Sequence, residues 1–346
     1  DIASAITVAT SGAVEIDNTH PSISSVTFDS GDYVNNAEDE SAIDLVIVTS
    51  GAEDTETVTA TLNGADYTCD LSSNTCTASI TSAALKALTD GNSYTFSVAV
   101  SDTAGNAATA NTAESFTYDV TAPTSTTAVE SVDGTGNAND ADVVTITLDP
   151  SETVGTPTCT FTDGIGAMED TTVDYDTTGD DSHTAQVTVH NDDDDGAVGF
   201  SCTYTDTAGN DIASAITVAT SGAVIIDNTH PTMTPVSIVE TGDGNANDGD
   251  DITLSFTASE GIQTPTCTFT SGGQAMADSS ITVTEGDANA WTCVLDVDNG
   301  DTDGSVAFSI AFSDDAGNAG STAVAVTDGT SVTIDNTHPT STTAVL

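Results

Sequence analysis

Residues 124–231 align without a gap onto residues 232–339, an offset of 108 residues. TPTCTFT at 156–162 falls on TPTCTFT at 264–270, DTAGN at 206–210 on DDAGN at 314–318, and IDNTHP at 226–231 on IDNTHP at 334–339. A gapless repeat of this size means that one folding unit is used more than once, each copy closing its own core. A more distant copy spans 22–123, marked by SDTAGN at 101–106 and YDVTAP at 118–123, with a helix-like stretch, TSAALKAL, at 81–88. Residues 1–21 repeat 211–231 with one change, Glu15 in place of Ile225, and are expected to be the last strand and linker of a preceding unit. TSTTAV at 340–345 repeats 124–129, so 340–346 is expected to be the first strand of a following unit. With no initiator Met and no basic-then-apolar leader, the sequence reads as an excerpt of a longer tandem array. The alternative is a subunit whose loose strands complete domains in neighbouring subunits.

Inside each repeat apolar residues alternate with Thr, Ser and Asp, as in VVTITL at 143–148, AQVTV at 185–189 and GFSCTYT at 199–205. Period two over short runs separated by Gly, Asp and Asn means half-buried antiparallel strands. About seven such runs fit in one repeat, the count of an immunoglobulin-like sandwich. The expected fold is therefore all-β, a linear array of such sandwiches.

There are 55 acidic residues against one basic residue, Lys86, for a formal charge of −54. A surface this acidic repels phosphate, so nucleic acid and anionic membranes are excluded as partners. No run approaches the ~18 apolar residues of a membrane span. At 37% hydrophobic, the chain can still build packed cores.

The six cysteines fall as one pair per repeat: Cys69 and Cys76, Cys159 and Cys202, Cys267 and Cys293. None of these spacings is that of a zinc knuckle or a redox CxxC, and one even pair per unit reads as structural disulfides made in an oxidising compartment. Under the repeat offset Cys159 and Cys267 coincide on the third strand, whereas Cys202 falls on Ile310 in the sixth strand and Cys293 on Ala185 in the fifth. The sandwich topology then predicts Cys159–Cys202 within one sheet and Cys267–Cys293 between sheets, with Cys69–Cys76 closing a hairpin around 70–75.

The series of an Asp-rich first loop, a strand ending in Ser-Glu (Ser151-Glu152, Ser259-Glu260), TPTCTFT, D-x-AGN and a closing IDNTHP or YDVTAP resembles the bacterial immunoglobulin-like repeats of very large surface adhesins. That resemblance covers essentially the whole chain. It implies an extended extracellular stalk whose domain junctions bind calcium, and it departs from the family pattern in the disulfides.

The residues point to the same junctions by topology. In a seven-strand sandwich the loops after the second and sixth strands lie at the end where the chain comes in. Ser-Glu opens the first of these loops and D-x-AGN forms the other, so both face the preceding linker. Asp119, Glu152, Asp206 and Asn210 are expected to converge, as are Asp227, Asn228, Glu260, Asp314 and Asn318. For the first complete unit the set is Asp17, Asn18, Asp102 and Asn106, with Glu53 or Asp54 as the contributor from the loop after the second strand. Converging carboxylates and amide oxygens need a hard cation, and oxygen-only ligands favour Ca2+. The competing reading is that Asp and Asn here merely make turns.

A second acidic set, 133–142 with 191–196 and 242–251 with 298–304, is expected at the opposite end of each unit, either cation-bound or solvated. His20, His230 and His338 each precede Pro in DNTHP, too few per linker for a transition metal. Trp291 reads as packing. No catalytic constellation is found: the polar features repeat, whereas an enzyme needs a singular site. The expected function is an extracellular or cell-surface structural segment whose partners are neighbouring domains of the same chain or filament. The alternatives are an adhesive module gripping a sugar, ice or a receptor, and a filament subunit assembling by strand exchange.

Overall fold

The computed structural model describes residues 16–341 except 110–113, 132, 133, 135, 177–181, 243, 278 and 279. The loose strands expected at 1–16 and 340–346 fall almost wholly outside the described residues. The alternation read from sequence becomes alternation in burial: Ile43–Ser50 buries every second residue from Ile43, and Asp251–Ala258 every second residue from Ile252. Each aliphatic side chain so buried contributes about 1.5–3 kcal/mol.

The chain forms two compact units. One holds the residues up to 124 with 150–155 and 203–214; the other holds 125–149, 156–202 and 215 onward.

In the first unit, Ser22–Phe28, Ile43–Ser50 and Thr75–Ile80 form one antiparallel sheet. Ala65–Asp70, Thr57–Leu62 and Ser97–Ala99 form another, and Tyr33–Val34 pairs parallel with Ser115–Tyr118. Leu45, Ile47, Val58, Phe96 and Phe116 are among the buried residues of its core, where the rings of Phe28 and Phe116 lie 4.8 Å apart. The helix-like stretch supplies one turn, Ser82–Leu85, with Thr81 capping Ala84 N–H.

The second unit contains two further cores, one around Val144, Ile146, Phe161 and Val187, the other around Ile252, Leu254, Trp291 and Ile310. Around the latter, Met233–Glu240, Asp251–Ala258, Ala290–Asp296 and Thr282–Glu285 form one sheet in that order. Gln274–Ala275, Thr266–Ser271, Gly304–Ala311 and Thr333–Ile334 form the other. Around the former, Ser125–Ser131, Val143–Pro150, His183–Thr188 and Asp174–Asp176 repeat the first sheet, and Thr158–Thr162 pairs with Gly199–Thr203. Leaving aside the two-residue Gln274–Ala275, first, second, fifth and fourth strands against third, sixth and seventh is the strand order of an immunoglobulin constant-type sandwich.

Three disulfides close within repeats. Cys159–Cys202 joins neighbouring strands of one sheet, and Cys267–Cys293 joins the two sheets through the core. Cys69–Cys76 closes a two-residue turn in which Ser73 and Asn74 have positive φ; after the Ser72–Thr75 bridge the strands part into opposite sheets.

The segment 211–226, expected to be one last strand, is mostly irregular. Ile216 bridges Cys202, Ser221 bridges Ala128, and regular pairing resumes only at Ile225–Ile226. Within it Gly222 has φ 77°, and a Cβ there would run into the Val129 carbonyl oxygen; the equivalent stretch 319–332 is irregular as well, with Thr330 in that place.

Candidate metal centres

The D-x-Ala-Gly-Asn segment folds into a self-closed turn. Asp206 Oδ1 accepts from Gly209 N at 2.7 Å and Asn210 N at 2.8 Å, while its Oδ2 accepts from Asn210 Nδ2 at 2.9 Å. Gly209 is obligatory here, with φ 98°. The same amide donates to the carbonyl of Asp119 at 2.9 Å, fastening the turn to the linker. Asn318 does likewise for Asp314 and the Asp227 carbonyl, and Asn106 for Asp102 and the Asp17 carbonyl.

These turns and linkers bring carboxylates together. Asp119, Glu152 and Asp206 each offer an oxygen within 4.8 Å of the others, and so do Asp227, Glu260 and Asp314. Asp206 and Asp314 are 6% and 1% exposed. Two unit charges at that distance repel by about 3 kcal/mol at an effective dielectric of 20. Burial, and then the charge of Asp206, holds the Asp119 carboxyl above the usual carboxylate range; burial, and then Asp119 and Asp206, does the same to Glu152. Burial and the Asp314 charge raise Asp227, and burial, Asp227 and Asp314 raise Glu260. No basic side chain relieves either trio: Lys86 is held by Glu40 at 2.7 Å and Asp39 at 4.0 Å.

The other expected ligands are placed differently. Asn210 and Asn318 act as brackets, their amide oxygens accepting from Asn36 N at 2.9 Å and from Asn139 Nδ2 at 3.2 Å. Asn228 turns toward the repeat it leaves, donating to the carbonyls of His190 and Asp193. Asn18 is exposed. At the first junction, among the described residues, Asp17 and Asp102 gather no third carboxylate into such a trio. Gly51, with φ 84°, takes the place after Ser50 that Glu152 and Glu260 take after Ser151 and Ser259. Glu53 instead accepts from Thr103 N at 3.0 Å, and Asp54 from Ser73 N at 2.7 Å.

In the acidic runs at the opposite end, several carboxylates accept from nearby groups of the same repeat. Asp193 accepts from Glu169 N and His190 N, and Asp195 from Asn228 N and Thr229 Oγ1; Asp301 and Asp303 repeat both patterns. Among the described residues no trio forms there. His20 and His230 donate from Nδ1 to the carbonyls of Ala107 and Ala319 at 2.8 and 2.9 Å, and Trp291 is buried core. Sequence reasoning missed Asn35 and Asn139, which hold the D-x-AGN turns from the preceding repeat. Their only signal was a recurrent Asn in the first loop of each repeat.

No family matches the sequence, and no curated protein matches it. Among solved structures it is similar to a 1.5-MDa bacterial ice-binding adhesin, at 20% identity over 89% of this chain and 96% of that one, with a TM-score of 0.44. It is also similar to a Ca2+-stabilized adhesin of an Antarctic bacterium, at 21% identity over 90% of this chain and 74% of that one, with a TM-score of 0.47. The titin fragment I67–I69 aligns at 13% identity over 92% of this chain and 99% of that one, with a TM-score of 0.39. Likeness at this level carries no functional argument; the strand order stands without it.

Proposed function

We propose that the chain is a segment of an extracellular structural array, with repeats at 22–123, 124–231 and 232–339, whose junctions are stiffened by calcium. The observation that carries this reading is the pair of carboxylate trios, each made from a linker Asp, the Glu after the second strand and the Asp of the D-x-AGN turn. The donor set is oxygen-only, charged and without a counter-cation, which fits a hard divalent ion better than zinc or copper. Bound Ca2+ would supply the missing positive charge. Asp119, Glu152 and Asp206, or Asp227, Glu260 and Asp314, would hold it, while Asn210 and Asn318 orient the turn that presents one carboxylate. The intrachain disulfides support a location outside the cell.

Calorimetric titration with Ca2+ and X-ray scattering with and without chelator test the reading. Extracellular modules bind at about 0.1–1 mM, and two sites in that range with a longer maximum dimension in Ca2+ are expected. An unchanged dimension would remove the stiffening role.

A further inference from the structure

The chain's one basic side chain, Lys86, stands beside a buried carboxyl of which only one oxygen is hydrogen-bonded. Asp39 is 4% exposed. Its Oδ2 accepts from the Tyr118 hydroxyl at 2.6 Å, while its Oδ1 has no hydrogen-bond partner among the described residues and lies 4.0 Å from Lys86 Nζ. A buried acceptor left without a donor is destabilising. The same Nζ is 2.7 Å from Oε1 of the exposed Glu40.

Both partners are held in place by their own segments. Asp39 N donates to the Asn35 carbonyl at 3.1 Å, in a turn where Ala37 N and Glu38 N both donate to Asn35 Oδ1. Lys86 closes the helical turn Ser82–Leu85, its N–H donating to the Ser82 carbonyl at 2.9 Å, with Leu85 and Leu88 buried before and after it. Burial, and then the bond to Asp39, holds the Tyr118 hydroxyl above the usual phenol range, so it stays a donor to Oδ2.

We propose that Lys86 and Asp39 condense to an amide, a covalent cross-link that the first repeat makes by itself. Nζ bonds to Asp39 Cγ, and the Cγ–Oδ1 bond breaks with its electron pair on oxygen. Glu40 carries two protons in turn from the ammonium to Oδ1, which leaves as water; net charge is unchanged and no other reactant is consumed. Tyr118 polarises the Cγ–Oδ2 bond during attack and afterwards donates to the amide carbonyl. The atom expelled is the one the fold leaves unpartnered. Well-oriented neighbouring groups reach effective molarities of about 10⁵–10⁸ M. Burial of Asp39 keeps water from the product, and the half-exposed Lys86 gives the expelled water a way out. Among the disulfides, those of the second and third repeats close 43 and 26 residues and that of the first only 7; the amide supplies the long-range lock that the first repeat's disulfide does not. It is independent of the calcium reading.

Intact mass spectrometry of the full chain, over a time course after cell-free synthesis under oxidising conditions, tests it. The mass should settle at that of the sequence with three disulfides less one further water. Digestion after reduction should yield one branched peptide joining Lys86 to Asp39. Lys86→Arg, which keeps the positive charge, should hold the full mass, and Glu40→Gln should cross-link at least about tenfold more slowly. A native chain that keeps its full mass overturns the inference. So does a water loss that persists in Lys86→Arg, a branch at Glu40 in place of Asp39, or a Glu40→Gln chain that cross-links as fast as the native one.

Discussion

Asn139 and Asn318 meet side chain to side chain across 179 residues of sequence, Nδ2 of the first donating to Oδ1 of the second at 3.2 Å. That contact fixes which way the Asn318 amide points. With its oxygen engaged, its nitrogen faces Asp314 Oδ2 at 2.9 Å and the Asp227 carbonyl at 2.6 Å. One amide therefore ties a turn, a linker and the preceding repeat together.

Asn318→Asp keeps the shape and removes both donated bonds while adding a carboxylate beside Asp314. A hydrogen bond to a charged group is worth about 1.5–3 kcal/mol, so calcium-free unfolding should lose at least that much. Thermal melts in chelator measure it, with Asn106→Asp, at a partly exposed turn, losing less.

Glu152→Gln and Glu260→Gln should act in opposite directions with and without Ca2+. In chelator each relieves repulsion within its trio and raises the melting temperature; in Ca2+ each removes a charged ligand and lowers affinity by about tenfold or more. Melts and calorimetry on the same variants check both signs. A variant that stabilises neither state, or both, would argue against a cation site.

The raised carboxyls of Asp119, Glu152, Asp227 and Glu260 bind protons more tightly in the fold than in the unfolded chain. Their contribution is fully present below about pH 4 and is lost as pH rises through the raised folded values. Calcium-free stability of the native chain, taken relative to a Glu152→Gln, Glu260→Gln double variant, should therefore fall across that window. Ca2+ binding should release protons there and reverse the trend. Melting curves from about pH 3.5 to 7, with and without Ca2+, give the sign directly.

Removing Cys159–Cys202, whose partners are 43 residues apart, should cost about 4 kcal/mol by loop entropy. Removing Cys69–Cys76, 7 residues apart, should cost about 2.5 kcal/mol. Paired Cys→Ser variants in denaturant melts give the order.

Fold and junction were readable because both are written in short, local signals. Alternation in VVTITL needs no tertiary knowledge to mean a half-buried strand, and the sandwich topology then placed Asp119, Glu152 and Asp206 at one end. What stayed hidden depends on partners far along the chain. Nothing local says that the Asn210 amide oxygen accepts from Asn36 N. Nothing local says that Asp193 and Asp195 commit their oxygens to nearby backbone. Gly51 was legible in principle as a missing Glu after Ser50, but the distant first repeat carries no gapless alignment to align it by. Segment 211–224 has the alternation of a strand, yet its bridging partners, Cys202 for Ile216 and Ala128 for Ser221, lie in different sheets.

The spacing of the disulfides also sets how the chain would give under tension. A repeat pulled open from its two ends can release only residues outside the locked loop. Cys159–Cys202 withholds 43 residues, on the order of 150 Å of contour at about 3.5 Å each, while Cys69–Cys76 withholds 7. The first repeat would therefore extend by nearly its whole length, and the second would stop well short. A chain of such units has graded limits of stretch along its length, assigned by where each pair of cysteines sits.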